Sequence, residues 1–245
     1  MKRLIVLTFL LIWPFVQSQA LLVGTTANYP PMASLIDQKN HFTGFEVEIM
    51  QAICDRIKMP CEFRPVVVAS IPEQLLSRKI DVAIAAIIIQ SKPIPGYIFS
   101  LPYLASNTQF INNQQSSIDN PADIKNKRVG VRRGSLYGGD YFKNHVLKLY
   151  NNQVQVTEYA TMNDLMEALG NRLIDVAFVN AVAADYWYMN NQNQYKLIGS
   201  RMPLDNGYGI MANEGQEQLI DVINHALQYM LADGSYEAIY SRYFD

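Results

Sequence analysis

Histidine and cysteine are scarce in this chain, and their scarcity excludes several chemistries at once. Of 245 residues, three are histidine and two are cysteine. His41, His145 and His225 are far apart, have no metal-ligand spacing and do not adjoin the cysteine pair, so no metal centre is expected. No G-x-S-x-G elbow is present, and Gly134-Ser135 has no partner of known proximity, so nucleophilic hydrolysis finds no support. A basic excess is missing too. The net charge is −2, which argues against a nucleic-acid partner. After residue 20 no apolar run is long enough to span a bilayer. No internal repeat is visible, and no low-complexity segment beyond the polar stretch Asn190 to Gln194. The residues point to no catalytic group and to no cofactor.

What is present begins with an address label. Lys2 and Arg3 supply a positive start, Leu4 to Phe15 forms an apolar run, and Ser18-Gln19-Ala20 places small residues at the −3 and −1 positions of a signal-peptidase site. Residues 1–20 therefore read as a signal peptide cleaved near Ala20, the alternative being a buried N-terminal helix. No cysteine follows the apolar run, so no lipid anchor is expected. The mature chain is expected to be soluble and periplasmic. In that oxidising compartment Cys54 and Cys61 read as a disulfide, the alternative being two buried thiols. Hydrophobic content of 49% and charged content of 17% describe an ordinary globular chain. Its length allows one large domain or two lobes of about a hundred residues each.

Strand and helix patterns alternate along the chain. Leu21 to Gly24 reads as a strand, broken by the turn Asn28-Tyr29-Pro30-Pro31. Gly44 to Ile57 carries apolar residues at helical spacing, with Glu46 and Glu48 near its start. Phe63 to Val68 reads as a strand, Ile71 to Arg78 as a helix opened by Ser70, and Ile80 to Ile89 as a strand buried on both faces. A second unit begins after Tyr103. Arg128 to Arg132, Val154 to Tyr159 and Ile174 to Val179 read as strands. Gly134-Ser135 opens a helical stretch, and helices follow over Met162 to Leu169 and Asn180 to Met189. Tyr208 to Ala212 and helices from Gln216 to Tyr243 finish the chain. This alternation predicts an α/β fold with mainly parallel sheets.

Six segments in order carry a family resemblance: Gly44-Phe45-Glu46-Val47-Glu48-Ile49, Lys79-Ile80-Asp81-Val82-Ala83, Phe99-Ser100-Leu101-Pro102-Tyr103, Val129-Gly130-Val131-Arg132-Arg133-Gly134-Ser135, Ile174-Asp175-Val176-Ala177, and Asp233-Gly234-Ser235-Tyr236 with Tyr243-Phe244. Together they resemble the family-3 bacterial solute-binding proteins, the binding components of polar amino-acid ABC importers. The spacing of Cys54 and Cys61 also resembles the disulfide of the branch that binds histidine, lysine, arginine and ornithine. The resemblance implies a periplasmic-binding-protein type II fold, two α/β lobes joined by two hinge strands that close on a ligand. Residues 21–107 and 204–245 would form the first lobe and 108–203 the second, with hinges near Ser106 to Phe110 and Met202 to Asn206. It implies a monomer that receives a small-molecule ligand, amino-acid-like and polar or basic. The partner would be an ABC permease in the inner membrane. The alternatives are a binding or sensing protein for a non-standard ligand, such as an amino-acid derivative or organic acid, and a cyclohexadienyl-dehydratase-like enzyme.

A zwitterionic ligand needs both of its charges paired once water is excluded. In the family a first-lobe Arg grips the carboxylate; that position here is Pro93, with Lys92 one residue early. The strand end that usually carries hydroxyls is Ala85-Ala86-Ile87-Ile88. The second-lobe acid that pairs the ammonium aligns with Asn180, and an early acid that contacts basic side chains aligns with Thr26. The remaining candidates for the ligand site are Tyr29, where the family stacks an aromatic, Val68, Ala85, Ala86, Ile88, and the second-lobe turn with Arg132, Ser135 and Leu136. Arg132 would supply from the opposite lobe the positive charge lost at Pro93. Tyr137 and Glu46 are weaker candidates, Glu46 reading first as a helix-start charge.

Overall fold

The computed structural model describes residues 20–133, 139–191 and 193–244. In chain order its first elements are β1 (Leu21–Thr25), the short strands β2 (Asn28–Tyr29), β3 (Ala33–Leu35) and β4 (Phe42–Thr43), and helix α1 (Phe45–Ile57). Then come β5 (Cys61–Pro65), a 3-10 turn leading into α2 (Ile71–Leu76), β6 (Val82–Ala83) and β7 (Tyr97–Phe99). The middle of the chain holds β8 (Asn107–Asn113), β9 (Arg128–Arg132), α3 (Gly139–Tyr141), a π-helical turn at Phe142–Val146, α4 (Leu147–Leu149) and β10 (Gln155–Tyr159). There follow α5 (Met162–Gly170), β11 (Val176–Asn180), α6 (Ala181–Asn190) and β12 (Tyr195–Pro203). The chain finishes with β13 (Met211–Asn213), α7 (Glu217–Ala232) and α8 (Ser235–Phe244).

Two five-stranded sheets have one plan. The first runs β5-β1-β6-β13-β7 and draws on both ends of the chain; the second runs β10-β9-β11-β8-β12 and draws on its middle. In each, three neighbouring strands are parallel and the fourth is antiparallel to both its neighbours. The two registers match residue for residue: Val23 and Gly24 face Val82 and Ala83, as Val129 and Gly130 face Val176 and Ala177. The Ile-Asp-Val-Ala motif has the same physical task twice. Asp81 accepts the Leu22 N–H, second in β1, and Asp175 accepts the Arg128 N–H that opens β9, both at 2.8 Å. The preceding isoleucines pack so close that a Cβ on Gly24 would meet Ile80 at 2.6 Å, and one on Gly130 would meet Ile174 at 2.4 Å.

Local chemistry explains most boundaries. Phe45, Ile49 and Ile53 recur at one-turn spacing and are fully buried, and Lys58 stops α1 in a left-handed conformation. Cys54 in α1 and Cys61 opening β5 are joined by a disulfide with Cα atoms 5.9 Å apart. Asn180 accepts the Ala183 N–H at 2.8 Å and so caps α6, and Thr161 caps α5 by accepting from Asp164. Three expectations need correction. The strand placed at Phe63 to Val68 begins at Cys61 and ends at Pro65, and the helix placed at Ile71 to Arg78 ends at Leu76. The run Ile80 to Ile89 contains only a two-residue strand. Its residues from Val82 to Ile88 are all buried, yet Ala86 has φ 49°, so the backbone leaves the extended conformation while remaining in the core. The opening of a helix at Gly134-Ser135 lies outside the described residues.

The chain passes between the sheets twice, near Ser106 and near Leu204. The passages are fastened to each other: Leu204 N–H donates to the Ser106 carbonyl at 3.0 Å, the Ser106 hydroxyl donates to the Leu204 carbonyl, and Asn107 pairs with Pro203.

Candidate functional site

Parallel strands place their C-terminal ends on one edge of a sheet, where open α/β folds put ligands. Here the two such edges meet. The first contributes Thr25 and Thr26 at the end of β1, Tyr29 in β2 and the segment after β6; the second contributes Arg132 at the end of β9 and Asn180 at the end of β11. The edges touch through Tyr29, whose hydroxyl accepts a hydrogen bond from the Asn180 amide and whose ring lies 5.1 Å from the Arg132 guanidinium carbon. Arg132 also reaches the Ala160 carbonyl at 3.5 Å. Burial pushes the Tyr29 phenol above its ordinary range; the Arg132 charge opposes that shift, and the charge of Glu46 adds to it.

Glu46 is a different residue from the one its position suggests. It lies in the first turn of α1, where an acid is usually solvated, but it is 0% exposed. Pro31 and Met32 hold it there by accepting the N–H groups of Phe45 and Glu46 at 3.0 and 2.9 Å, which also ties the Tyr29 turn to the helix. Its Oε1 accepts the Ala86 N–H at 2.5 Å and the Tyr103 hydroxyl. Its Oε2, equally buried, has no hydrogen-bond partner among the described residues, and the same holds for the hydroxyls of Thr25 and Thr26. Burial raises the Glu46 pKa to about 7, against the opposing hydrogen bonds from Tyr103 and Ala86. The Tyr103 phenol is pushed up by burial and then by its acidic partner. Unpaired buried polar atoms are rare enough in folded proteins to call for a reason.

Of the expected site residues, Tyr29, Arg132 and Asn180 are brought into contact, and Thr26 and Ala86 lie at the same strand ends. Ile88 is buried and bridges to Tyr208. Val68 and Ala85 pack in another layer, with Ile71, Ile80 and Ile87. Ser135, Leu136 and Tyr137 lie outside the described residues. Pro93 and Lys92 are exposed, so neither position supplies a buried cation in place of the arginine expected there. The sequence reads Glu46 first as a helix-start charge, and its hydrogen-bond partner Tyr103 ends the Phe99–Tyr103 motif without any local sign of that contact. A hollow of about 470 Å³ at the hinge, lined by Pro102, Tyr103, Asn206 and Tyr236 among others, does not include the residues at the strand ends that meet. No helix among the described residues is long and apolar enough to cross a membrane.

Two like-built α/β lobes with facing strand ends and a double crossing define a bilobal ligand-binding protein of the type II class. The chain belongs to the bacterial extracellular solute-binding proteins, family 3, whose model matches residues 21–245. Among its relatives, the putative ABC transporter arginine-binding protein 2 of Escherichia coli K12 is 27% identical, covering 90% of this chain and 89% of that one. The L-arginine-binding protein of Pseudomonas aeruginosa is 26% identical, covering 94% and 90%. Among solved structures, an arginine third transport system periplasmic binding protein from Legionella pneumophila is 35% identical with a TM-score of 0.85, covering 93% of this chain and all of that one.

Proposed function

We propose that this chain is the periplasmic solute-binding component of an ABC importer and closes its two lobes on an amino acid with a polar or basic side chain. One observation carries the reading. Glu46 and Arg132 are the only charged side chains buried among the described residues, and both act on Tyr29 where the two sheets face each other. A cleft of that kind suits a small ligand bearing both charges, because each charge finds a partner once water is excluded. The relatives named for arginine, and a histidine-binding periplasmic protein of Salmonella typhimurium at 24% identity, support a basic ligand. In this reading residues 1–20 are removed near Ala20, residues 21–107 and 204–245 form one lobe and 108–203 the other. The protein works as a monomer and presents its ligand to an inner-membrane permease. Tyr29, Thr26, Ala86, Ile88, Arg132 and Asn180 line the closed site, with Ser135 and Leu136 following Arg132 in sequence.

The exposure of Lys92 and Pro93 and the amide at Asn180 favour a second reading, an amino-acid derivative or organic acid on the same scaffold. A thermal-shift screen of the purified protein separates the two. A fitting amino acid stabilises the fold by about 2.7 kcal/mol at a hundredfold excess over its dissociation constant. Absence of any shift with all twenty amino acids, together with a shift from an organic acid, rejects the first reading.

A further inference from the structure

We infer that the ligand lies across the cleft with its charges in the reverse of the order that the family resemblance implies: Glu46 of the first lobe pairs its ammonium, and Arg132 of the second pairs its carboxylate. This deepens the amino-acid reading above and rests on it.

The argument is one of matching charges to places. Among the described residues the first lobe holds one buried charge, the Glu46 carboxylate, and the second holds one, the Arg132 guanidinium. The first lobe has no buried cation to receive a ligand carboxylate, since Lys92 is exposed. The second has no buried acid to receive an ammonium, and the Asn180 carbonyl oxygen is already engaged in capping α6. Only one orientation of a zwitterion pairs both charges.

The donor count agrees. Glu46 Oε1 is engaged by Ala86 and Tyr103, whereas among the described residues Oε2 has no hydrogen-bond partner, and neither has the Thr26 hydroxyl. An ammonium offers three N–H donors and no acceptor, which suits two unengaged oxygens. A guanidinium presents a fork that matches a carboxylate. Thr26, which replaces the acid expected at that position, then serves the ammonium as a neutral second acceptor. Tyr29 stands between the two charges, where the family stacks an aromatic on the ligand.

Calorimetry on the mature protein tests this with three probes: the tightest-binding of the twenty amino acids, the amine it becomes without its carboxylate, and the acid it becomes without its ammonium. For L-arginine these are agmatine and 5-guanidinopentanoate. We expect each missing charge to weaken binding to the wild type by about 30-fold, the size of one charge-assisted hydrogen-bonded contact. Arg132→Ala should bind the amino acid about 30-fold more weakly yet bind the amine as the wild type does. Glu46→Gln should bind the amino acid more weakly yet bind the deaminated acid as the wild type does. The opposite pairing, or equal penalties for both analogues in both variants, overturns the inference while leaving the amino-acid reading intact. A wild type that binds none of the twenty overturns both.

A wild-type measurement covers the case in which Glu46→Gln does not fold. The groups facing Glu46 are the phenols of Tyr103 and Tyr29, with Tyr208 behind Tyr103 and Arg132 across the cleft. All three histidines are exposed. Affinity for the amino acid should therefore weaken as pH falls from 8 to 6 and Glu46 takes up a proton, whereas affinity for the deaminated acid should not. Equal pH dependence for the two ligands overturns the inference.

Discussion

The two sheets are alike where they fold and unlike where they meet. At the start of the strands Asp81 and Asp175 accept equivalent N–H groups, and Gly24 and Gly130 give way to equivalent isoleucines. Carried two residues past those glycines, the same register sets Thr26 against Arg132; carried three past Ala83 and Ala177, it sets Ala86 against Asn180. At the facing edges, then, one lobe offers hydroxyls and a backbone amide fastened to a carboxylate, and the other offers a guanidinium and a side-chain amide. The lesson is that the fold constrains the middle of each strand through packing and its start through hydrogen bonding, and leaves the C-terminal ends free to carry unlike chemistry.

The largest effect should come from breaking the support peculiar to the first lobe. Phe45 is 0% exposed and meets Tyr236, Tyr240, Tyr243 and Phe244 of α8 edge-on, whereas Phe110 of the second sheet meets Phe142, Tyr150 and Phe178 of its own stretch of chain. Phe45→Ala should cost about 3–5 kcal/mol in urea denaturation, the range for emptying an aromatic core site.

Next comes the contrast between the two buried charges. The folded pKa of Glu46, about 7, lies above its unfolded value, so the folded state holds the proton more tightly. Its contribution to stability is therefore complete below the unfolded pKa and is lost as pH rises through the folded one. Stability of the unliganded protein should fall by on the order of 2–4 kcal/mol between pH 4.5 and 8 from this group alone. Glu46→Gln should flatten that slope in thermal unfolding at a series of pH values. A slope unchanged in the variant would assign it to other groups.

The disulfide is found only in the first lobe. Replacing Cys54 and Cys61 by serine should cost about 2–3 kcal/mol in the chain-entropy picture, read as a lower urea midpoint. The smallest effect sharpens the contact between the lobes. Tyr29→Phe removes the acceptor of the Asn180 amide and should destabilise the protein by about 1 kcal/mol, with a larger scattering radius in solution as the lobes separate.

Much of the fold was legible because its signals are local. The apolar stripe of α1, the helix that opens after Ser70 and the paired Ile-Asp-Val-Ala motifs all declare themselves within a few residues. The segment after Val82 did not. A continuous apolar run reports burial, and burial says nothing of the turn at Ala86 that aims an amide at Glu46. The candidate site is legible by position and not by role. Tyr29, Arg132 and Asn180 hold places in a pattern, and the structure brings them into contact. Glu46 reads first as a solvated charge because an acid in a helix's first turn is ordinarily in water, and contacts with Met32, Ala86 and Tyr103, distant in sequence, take it out of water. Tyr103 was hidden for the same reason.

The last helix carries a consequence for how each sheet depends on the chain. Tyr236 donates to the Tyr103 carbonyl at 2.6 Å, Tyr103 donates to Glu46, and β13 fills the gap between β6 and β7. The second sheet takes all its strands from one stretch, Asn107 to Pro203, whereas the first takes strands from both sides of that stretch. One sheet is therefore a continuous piece of chain, and the other is sewn together by contacts such as that of Arg242 with Glu48, 194 positions away in sequence.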